Sequence, residues 1–194
     1  MCYTGNNLGA NFNFYDMERI HLELWDIYDK DRSKTNRLAE RGKPLAKGDF
    51  HLVVHICIFS PDGRMLIQQR QPFKQGWPNL WDVTVGGSAI AGENSAAAAG
   101  RELFEEIGCR VDFSDERPFL TLHFERGFDD WYLLEKDVTL SELTLQQEEV
   151  QNVRWAGMEE ILQMIEEGSF IPYYQSFIRL LFEMRKYRGG IQPS

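Results

Sequence analysis

The sequence has few cysteines and no long hydrophobic run. Three cysteines occur among 194 residues and none forms a CxxC pair, which argues against a zinc ribbon or a disulfide framework. The longest apolar runs, residues 52–54 and 56–59, are strand-sized, whereas a membrane-spanning helix needs about 18 apolar residues. Residues 1–20 also lack the basic start and apolar centre of a secretory signal. We therefore expect a cytoplasmic globular protein with no membrane partner.

Positive charge is also scarce. Thirty acidic residues outnumber 21 basic ones, which gives a formal net charge of −9. A protein that binds nucleic-acid phosphates needs a basic surface, so a nucleic-acid polymer is excluded as the main partner. A phosphorylated small molecule is still compatible with this charge if a divalent cation mediates the contact.

The length predicts one domain with extensions, since domains contain roughly 150 residues. Residues 1–16 are rich in Asn and Gly, and we expect them to be a poorly ordered leader. Residues 17–49 are expected to form an N-terminal β-hairpin extension, with strands at Leu22–Tyr28 and Thr35–Glu40. Residues 50–188 then form the main domain with a C-terminal helix. The exposed edge expected for this hairpin leads to the hypothesis of a homodimer.

The main domain mixes strand and helix patterns. His51–Phe59 is rich in β-branched and aromatic residues, and a Ser-Pro-Asp-Gly turn connects it to Arg64–Arg70 as a hairpin. Further strands are predicted at Trp81–Val85, Leu120–Phe124, Trp131–Glu135 and Gln151–Trp155, with a turn at Arg126–Asp130. Helices are predicted at Asn94–Ile107, Met158–Glu167 and Gln175–Lys186. A mixed sheet covered by helices, an α/β fold, follows from this order.

The first predicted helix carries three carboxylates close together. Glu102, Glu105 and Glu106 lie within an arc of roughly 100° on a helical wheel. Like charges at this spacing repel one another, but a divalent cation such as Mg²⁺ prefers oxygen ligands and would turn the repulsion into a binding site. At this spacing alone, a solvated helix face is the alternative.

The residues around these carboxylates decide between the two interpretations. The segment 87–109 resembles the Nudix box, G-x5-E-x7-R-E-U-x-E-E-x-G-U, in which U is bulky and apolar. All seven fixed positions match, and Leu103 fills the first U position, whereas Cys109 at the last U is a mild departure. In chain order the fixed positions are Gly87, Glu93, Arg101, Glu102, Glu105, Glu106 and Gly108.

The resemblance covers about residues 50–167 and implies an α/β/α sandwich that hydrolyses a diphosphate linkage by attack of metal-activated water. It implies Mg²⁺, with Mn²⁺ as an alternative, held by Glu102, Glu105, Glu106 and the backbone carbonyl of Gly86. In the same motif Gly87 permits a tight loop, and Gly108 ends the helix. Glu93 and Arg101 are expected to form an ion pair that orients the carboxylates. The substrate is then a small-molecule diphosphate of unknown identity.

Residues outside the box are further candidates. Glu149 stands in a Glu-Val pair before a short strand, where the family often has a metal ligand or base, so both it and the box glutamates stay open as the general base. Arg70 is a candidate contact for a substrate phosphate, although basic residues at a strand end are usually solvated. Trp81 is a candidate for flanking the substrate, although packing in the core or the hairpin is the commoner use of such an aromatic residue. Asp129 and Asp130 are weaker candidates because they fall in a predicted turn.

Two other functions are compatible with parts of this pattern. The chain also resembles type I isopentenyl diphosphate isomerase, but the position of its catalytic cysteine holds Gly86, and two histidine positions hold Ser88 and Pro44. Only His51 and Glu149 of that set remain. Without the thiol, isomerisation has no evident acid–base pair. The other rival is a non-catalytic ligand-binding domain, which would usually have lost a box carboxylate.

Overall fold

The computed structural model describes residues 23–187 and 189–191. The expected leader at residues 1–16 lies outside the described residues, as does Leu22. Nine strands and three helices follow one another in the described part of the chain. They are β1 (Leu24–Tyr28), β2 (Lys34–Glu40), β3 (His51–Phe59), β4 (Met65–Arg70), β5 (Trp81–Asp82), β6 (Val85–Ser88), α1 (Ser95–Ile107), β7 (Leu120–Phe124), β8 (Gly127–Glu135), β9 (Val150–Ala156), α2 (Met158–Glu166) and α3 (Gln175–Met184), with a 3₁₀ turn at Leu140–Glu142.

The strands form two sheets. β1 and β2 pair antiparallel as a separate two-stranded sheet. The main sheet runs β5-β4-β3-β8-β7, with β6 paired to β3 and β9 paired to β4. β3 and β8 are parallel along their whole length, whereas the other pairs are antiparallel. The predicted mixed sheet is confirmed.

β3 is buried on both faces, and this sets the layers of the fold. Its even-numbered residues, from Leu52 to Ile58, pack with Leu103 and Ile107 of α1. On the opposite face, Cys57 and Phe59 pack with the hydrophobic side chains of α2 and α3. A strand covered on both sides reads as a continuous apolar run, as the sequence of β3 does. The arrangement is an α/β/α sandwich.

Two local predictions need correction. The predicted turn Arg126–Asp130 is mostly strand, since β8 begins at Gly127. Its acidic residues have buried partners within the sheet, which favours this extended conformation. The predicted β3–β4 hairpin closes as expected at Phe59 and Met65. Beyond this pair the two strands separate and take other neighbours, so the segment from β5 to β6 lies between them. Within the described residues, no helix has the length and hydropathy needed to cross a membrane.

Candidate active site

Helix α1 begins and ends as its sequence predicts. The side chain of Asn94 accepts a hydrogen bond from the backbone N–H of Ala97 at 2.8 Å. Gly108 adopts the left-handed conformation with φ of 71°, and its N–H donates to the Phe104 carbonyl at 2.9 Å. Each end therefore has a cap that satisfies a terminal backbone group, and the two caps define where the helix begins and ends.

The three carboxylates of α1 do not share one environment. Glu102 and Glu106, one helical turn apart, are buried at the sheet-facing side of the helix. Glu105 is exposed, and its Oε2 accepts a hydrogen bond from Nη1 of Arg101 at 2.9 Å. The helix wheel placed all three on one arc, but packing against β6 divides them into a buried pair and a surface residue.

The buried pair is electrostatically unfavourable without a cation. Burial raises the pKa of Glu102 to about 6, against the lowering effect of Arg101. Burial, and then the charge of Glu102, raise the pKa of Glu106 well above its usual value. Gln68 donates from Nε2 to Glu106 Oε2 at 2.9 Å, and its Oε1 has no hydrogen-bond partner among the described residues. A bound cation would favour the charged form of both acids.

Arg101 connects the helix to the loop that precedes it. Its Nε and Nη2 donate to the two carboxylate oxygens of Glu93 at 2.7 and 2.9 Å. Nη2 also donates to the Ser88 carbonyl at 3.0 Å, and Nη1 lies 3.0 Å from Glu102 Oε1. Such a two-pronged pair fixes direction as well as distance. The predicted Glu93–Arg101 pair is thus present, and the same guanidinium also contacts Glu102 of the helix.

Gly86 and Gly87 lie where side chains do not fit. A Cβ atom on Gly86 would lie 2.6 Å from Cδ2 of His55. A Cβ atom on Gly87 would lie 2.2 Å from the carboxylate carbon of Glu102. The absence of side chains lets the backbone of β6 approach both groups closely, at His55 through Gly86 and at Glu102 through Gly87.

These residues line a cleft of about 850 Å³. Carboxylates and cationic side chains face it from different elements, and among the described residues Phe73 is its single non-glycine apolar residue. The lining residues are Glu23, Arg41, Arg70, Phe73, Lys74, Gln75, Gly76, Gly86, Gly87, Arg101, Glu102, Glu105, Glu106, Gln146, Glu148 and Glu149.

The structure brings Glu149 and Arg70 into this cleft with the box carboxylates. Glu149 forms an ion pair with Lys74, and its backbone carbonyl accepts from Gln71 N–H at 3.0 Å. Arg70 Nε donates to the Gly76 carbonyl at 3.0 Å, and its Nη1 lies 3.8 Å from Asp82 Oδ2. Both side chains are held in place by neighbours, and both keep polar atoms at the cleft.

Three candidates from the sequence lie elsewhere. Trp81 is not among the residues that line the cleft. It is half-buried against the core that α2 and α3 cover, and the guanidinium of Arg154 lies 4.8 Å from its ring centre. This position agrees with core packing, the commoner use of such an aromatic residue. Asp129 lies 2.7 Å from Nδ1 of His55. Asp130 is completely buried and accepts from Thr121 at 2.6 Å.

Sequence reasoning missed Arg41, Glu23 and Phe73 in the cleft and Gln68 beneath it. Arg41 follows the hairpin and lies far from the box in sequence. Gln68 follows the three apolar residues that begin β4 and is itself followed by Gln69. Its place directly after this apolar run was the available signal, since burying an amide without a partner is costly.

The donor set fits a hard divalent cation. In the described part of the chain, no three His, Cys, Asp or Glu side chains are grouped closely enough to hold an ion by themselves, and the Glu105 carboxylate pairs with Arg101. Two buried carboxylates, the neighbouring Gly86 carbonyl and water would satisfy an ion such as Mg²⁺, which usually keeps several waters.

The fold is an α/β/α domain whose first helix carries the carboxylates of the box, and a comparison with protein families agrees with it. A family model described as "NUDIX domain" matches residues 49–177. The chain therefore belongs to the Nudix family. Members of this family that are hydrolases generally use divalent metal ions and act on small molecules.

Relatives support the same family. An uncharacterised Nudix hydrolase of Listeria innocua is 48% identical over 164 residues, which cover 84% of this chain and 96% of that protein. Another, from Listeria monocytogenes, is 46% identical with the same coverage. An isopentenyl-diphosphate Δ-isomerase of Salmonella arizonae is 28% identical over 158 residues, covering 77% of this chain and 83% of that protein. Hydrolase activity is the function these similarities favour.

A solved structure supports the fold. The crystal structure of DR0079 from Deinococcus radiodurans superposes with a TM-score of 0.67 at 24% identity. The match covers 86% of this chain and all of that one. At this identity the likeness concerns the fold alone, and it includes most of the described chain.

Proposed function

We propose that this protein hydrolyses a diphosphate linkage in a small hydrophilic organic phosphate, with Mg²⁺ or Mn²⁺ as cofactor. The observation that carries the proposal is Glu106. It is a buried carboxylate whose side-chain hydrogen-bond partner is the neutral amide of Gln68, and it lies in a cleft with Glu102 and Gly87. A buried acid with this environment is unfavourable in its charged form unless a cation binds beside it.

Each residue then has a distinct task. Glu102, Glu106 and the carbonyl of Gly86 would hold the ion. When bound, it would neutralise the diphosphate and lower the pKa of a water molecule. Arg101 contacts carboxylates and a backbone carbonyl, so we assign it a positioning role. Arg70 would bind a phosphate oxygen.

Glu149 is our proposed general base. It faces the cleft from the segment before β9, on a different element from the ion-holding pair. In the proposed step it takes a proton from water as the new P–O bond forms. The bond between phosphorus and the bridging oxygen breaks, and the second phosphate group leaves with that oxygen. Its ion pair with Lys74 holds the carboxylate near the cleft before substrate binds.

The cleft lining supports a polar substrate. Phe73 is the one large apolar side chain among the lining residues, and it is exposed. A prenyl chain gains its binding energy from burial of apolar area, and this lining offers little such area. Nucleoside phosphates, nucleotide sugars and dinucleotides are more consistent with it than prenyl diphosphates.

Isomerase activity is disfavoured for a further steric reason. The ring of His55 fills the space in which a side chain at position 86 would begin. His51, the histidine shared with the isomerase pattern, stacks on Trp25 with ring centres 4.2 Å apart and does not line the cleft. The elements of an isomerase site are therefore not assembled here.

The test is phosphate release from a panel of nucleoside triphosphates, nucleotide sugars, dinucleotides and prenyl diphosphates, with Mg²⁺, with Mn²⁺ and with EDTA. Glu106→Gln should reduce turnover of an accepted substrate by about a hundredfold, as expected for loss of a metal ligand. Glu159→Gln, an exposed helix carboxylate paired with Arg179, is the matched control. Full activity in EDTA or in Glu106→Gln would refute the proposal, and ligand binding without turnover would indicate a binding domain.

A further inference from the structure

We infer that Arg41, which the N-terminal hairpin presents to the cleft, is a specificity-determining residue that binds a phosphate group of the substrate. The inference rests on the proposed function and extends it, because it makes the hairpin part of the substrate site. Arg41 follows directly after β2, outside the residues matched by the family model. It lines the same cleft as Glu102 and Glu149.

The hairpin is held firmly against the loop that carries the Nudix box. The Ala91 N–H donates to the Leu24 carbonyl at 2.7 Å, and the Gly92 N–H donates to Asp26 Oδ2 at 2.8 Å. Lys34 Nζ donates to the Glu93 carbonyl at 2.8 Å. Backbone and side-chain bonds thus fix the hairpin on residues 91–93, which defines the position of Arg41 relative to the metal-binding helix.

The charges of the cleft carboxylates act on the guanidinium of Arg41. Burial lowers its pKa, but the hydrogen bond to Glu23 and the charges of Glu23, Glu102 and Glu149 together raise it above its usual value. The guanidinium is therefore within electrostatic range of carboxylates from two other elements. It provides positive charge at a place where a polyanionic substrate would otherwise meet mainly acids.

The guanidinium also has N–H donors that remain available for a substrate. Its Nη1 donates to Glu23 Oε2 at 2.7 Å, and Glu23 is the ion-pair partner that the described residues provide. A guanidinium carries five N–H donors in a planar fork, so a phosphate can bind to the remaining ones. Of the other cleft cations, Lys74 is paired with Glu149 and Arg70 with Gly76 and Asp82.

The side chain is accessible from the cleft, with 52% of its surface exposed. Arg37 of the same hairpin provides a matched control. It is 55% exposed and forms a two-pronged pair with Asp49 at 2.6 and 2.9 Å, but it does not line the cleft. Comparison of the two arginines separates a phosphate contact from a general effect of charge on the hairpin.

The experiment compares Arg41→Met with Arg37→Met for the best substrate of the panel. Loss of a charge-assisted hydrogen bond to phosphate is worth about 1.5–3 kcal/mol, so KM should rise about 10- to 100-fold in Arg41→Met. Turnover should stay within about threefold, because a contact made equally in ground and transition states acts through KM. Arg41→Lys should recover part of the loss, and Arg37→Met should behave as wild type.

Binding of imidodiphosphate with Mg²⁺, measured by calorimetry, gives a readout independent of turnover. Its affinity should fall in Arg41→Met by the same factor as KM rises, and it should increase in Glu23→Gln, where the competing carboxylate is neutral. Unchanged KM and unchanged imidodiphosphate affinity in a folded Arg41→Met variant would overturn the inference. If the wild type hydrolyses nothing in the panel but binds imidodiphosphate through Arg41, the proposed hydrolysis fails and the Arg41 contact stands.

Discussion

The backbone of Gly87 lies so close to Glu102 that a Cβ atom would come within 2.2 Å of both the carboxylate carbon and Oε1. Glu102 is buried and held by the Arg101 guanidinium, so it has little freedom to move aside. The glycine of the motif thus sets the position of a carboxylate as well as the shape of the loop.

Gly87→Ala should therefore displace Glu102 and lower activity more than tenfold, because small displacements of catalytic groups cost large rate factors. The thermal midpoint should fall as well, since the added methyl group overpacks a filled site. Gly157→Ala is the control, because a Cβ there meets nothing within 4 Å. Wild-type turnover in Gly87→Ala would contradict this account of the site.

A cysteine at position 86 should fail to create an isomerase. The His55 ring stands 2.6 Å from the position of the new Cβ, and it is fixed by Asp129 and by stacking on Trp131 at 4.3 Å. We expect Gly86→Cys to lower the free energy of unfolding by about 1–3 kcal/mol, and no isomerisation in Gly86→Cys with Ser88→His.

The steric cause can be isolated with a double-mutant cycle. If His55 is the obstacle, the destabilisation by Gly86→Cys should be smaller in a His55→Ala background, so that the two effects are not additive. Denaturant unfolding of the four proteins measures the coupling. Isomerase turnover in the Gly86→Cys, Ser88→His protein would contradict the exclusion of that chemistry.

Glu149→Gln tests the proposed base. A base acts on the proton in the transition state, so turnover should fall by at least tenfold with little change in KM. A solvated loop carboxylate would change turnover by only a factor of two or three. Glu142→Gln, in the exposed 3₁₀ turn, is the control. Wild-type turnover in Glu149→Gln would move the role of base to Glu102 or Glu105 and leave the metal assignment in place.

His51 should make the protein less stable in acid. Burial, helped by the charge of Arg41, lowers its pKa to about 4, whereas an unfolded histidine has a pKa near 6.5. Between these values the unfolded chain binds more protons than the folded one, so stability falls as pH decreases from about 6.5 to about 4.

In His51→Phe, the decrease in the free energy of unfolding between pH 7 and pH 4.5 should be smaller than in the wild type by about 2 kcal/mol. The measurement is the free energy of unfolding from denaturant titrations at both pH values. His123→Phe, at an exposed position, should keep the wild-type dependence. If the free energy of unfolding decreases equally on acidification in His51→Phe and in the wild type, other groups cause the decrease.

The sequence predicted the elements whose signals are local. Helix α1 could be placed because Asn94 caps its start and Gly108 ends it, and the box pattern identified its carboxylates. The helical wheel could not show that Glu105 is exposed whereas Glu102 and Glu106 are buried, because burial depends on what packs against the helix. Similarly, Asp129 and Asp130 are typical turn residues, and their place in β8 depends on His55, Arg32 and Thr121.

The substrate side of the site was harder to predict because its residues come from separate parts of the chain. Arg41, Arg70 and Glu149 meet in one cleft, yet no periodic pattern links a hairpin end, a strand end and a loop. Trp81 shows why closeness in sequence is a weak guide to the substrate. It lies only a few residues before the box, yet its ring packs against the core on the side of α2 and α3.

The parallel pairing of β3 with β8 has a consequence for how the protein folds. Residues 51–59 pair with residues 127–135, so the central ladder cannot form until the whole segment between them, including α1, has been synthesised. Closing such a long loop costs entropy before any contact is gained, and non-local sheets of this kind fold slowly. We expect β3 amides to gain protection from hydrogen exchange later than those of α1 during refolding. Until then we expect the apolar strand at the centre of the sheet to be open to contacts with other chains, which favours aggregation of the incompletely folded protein.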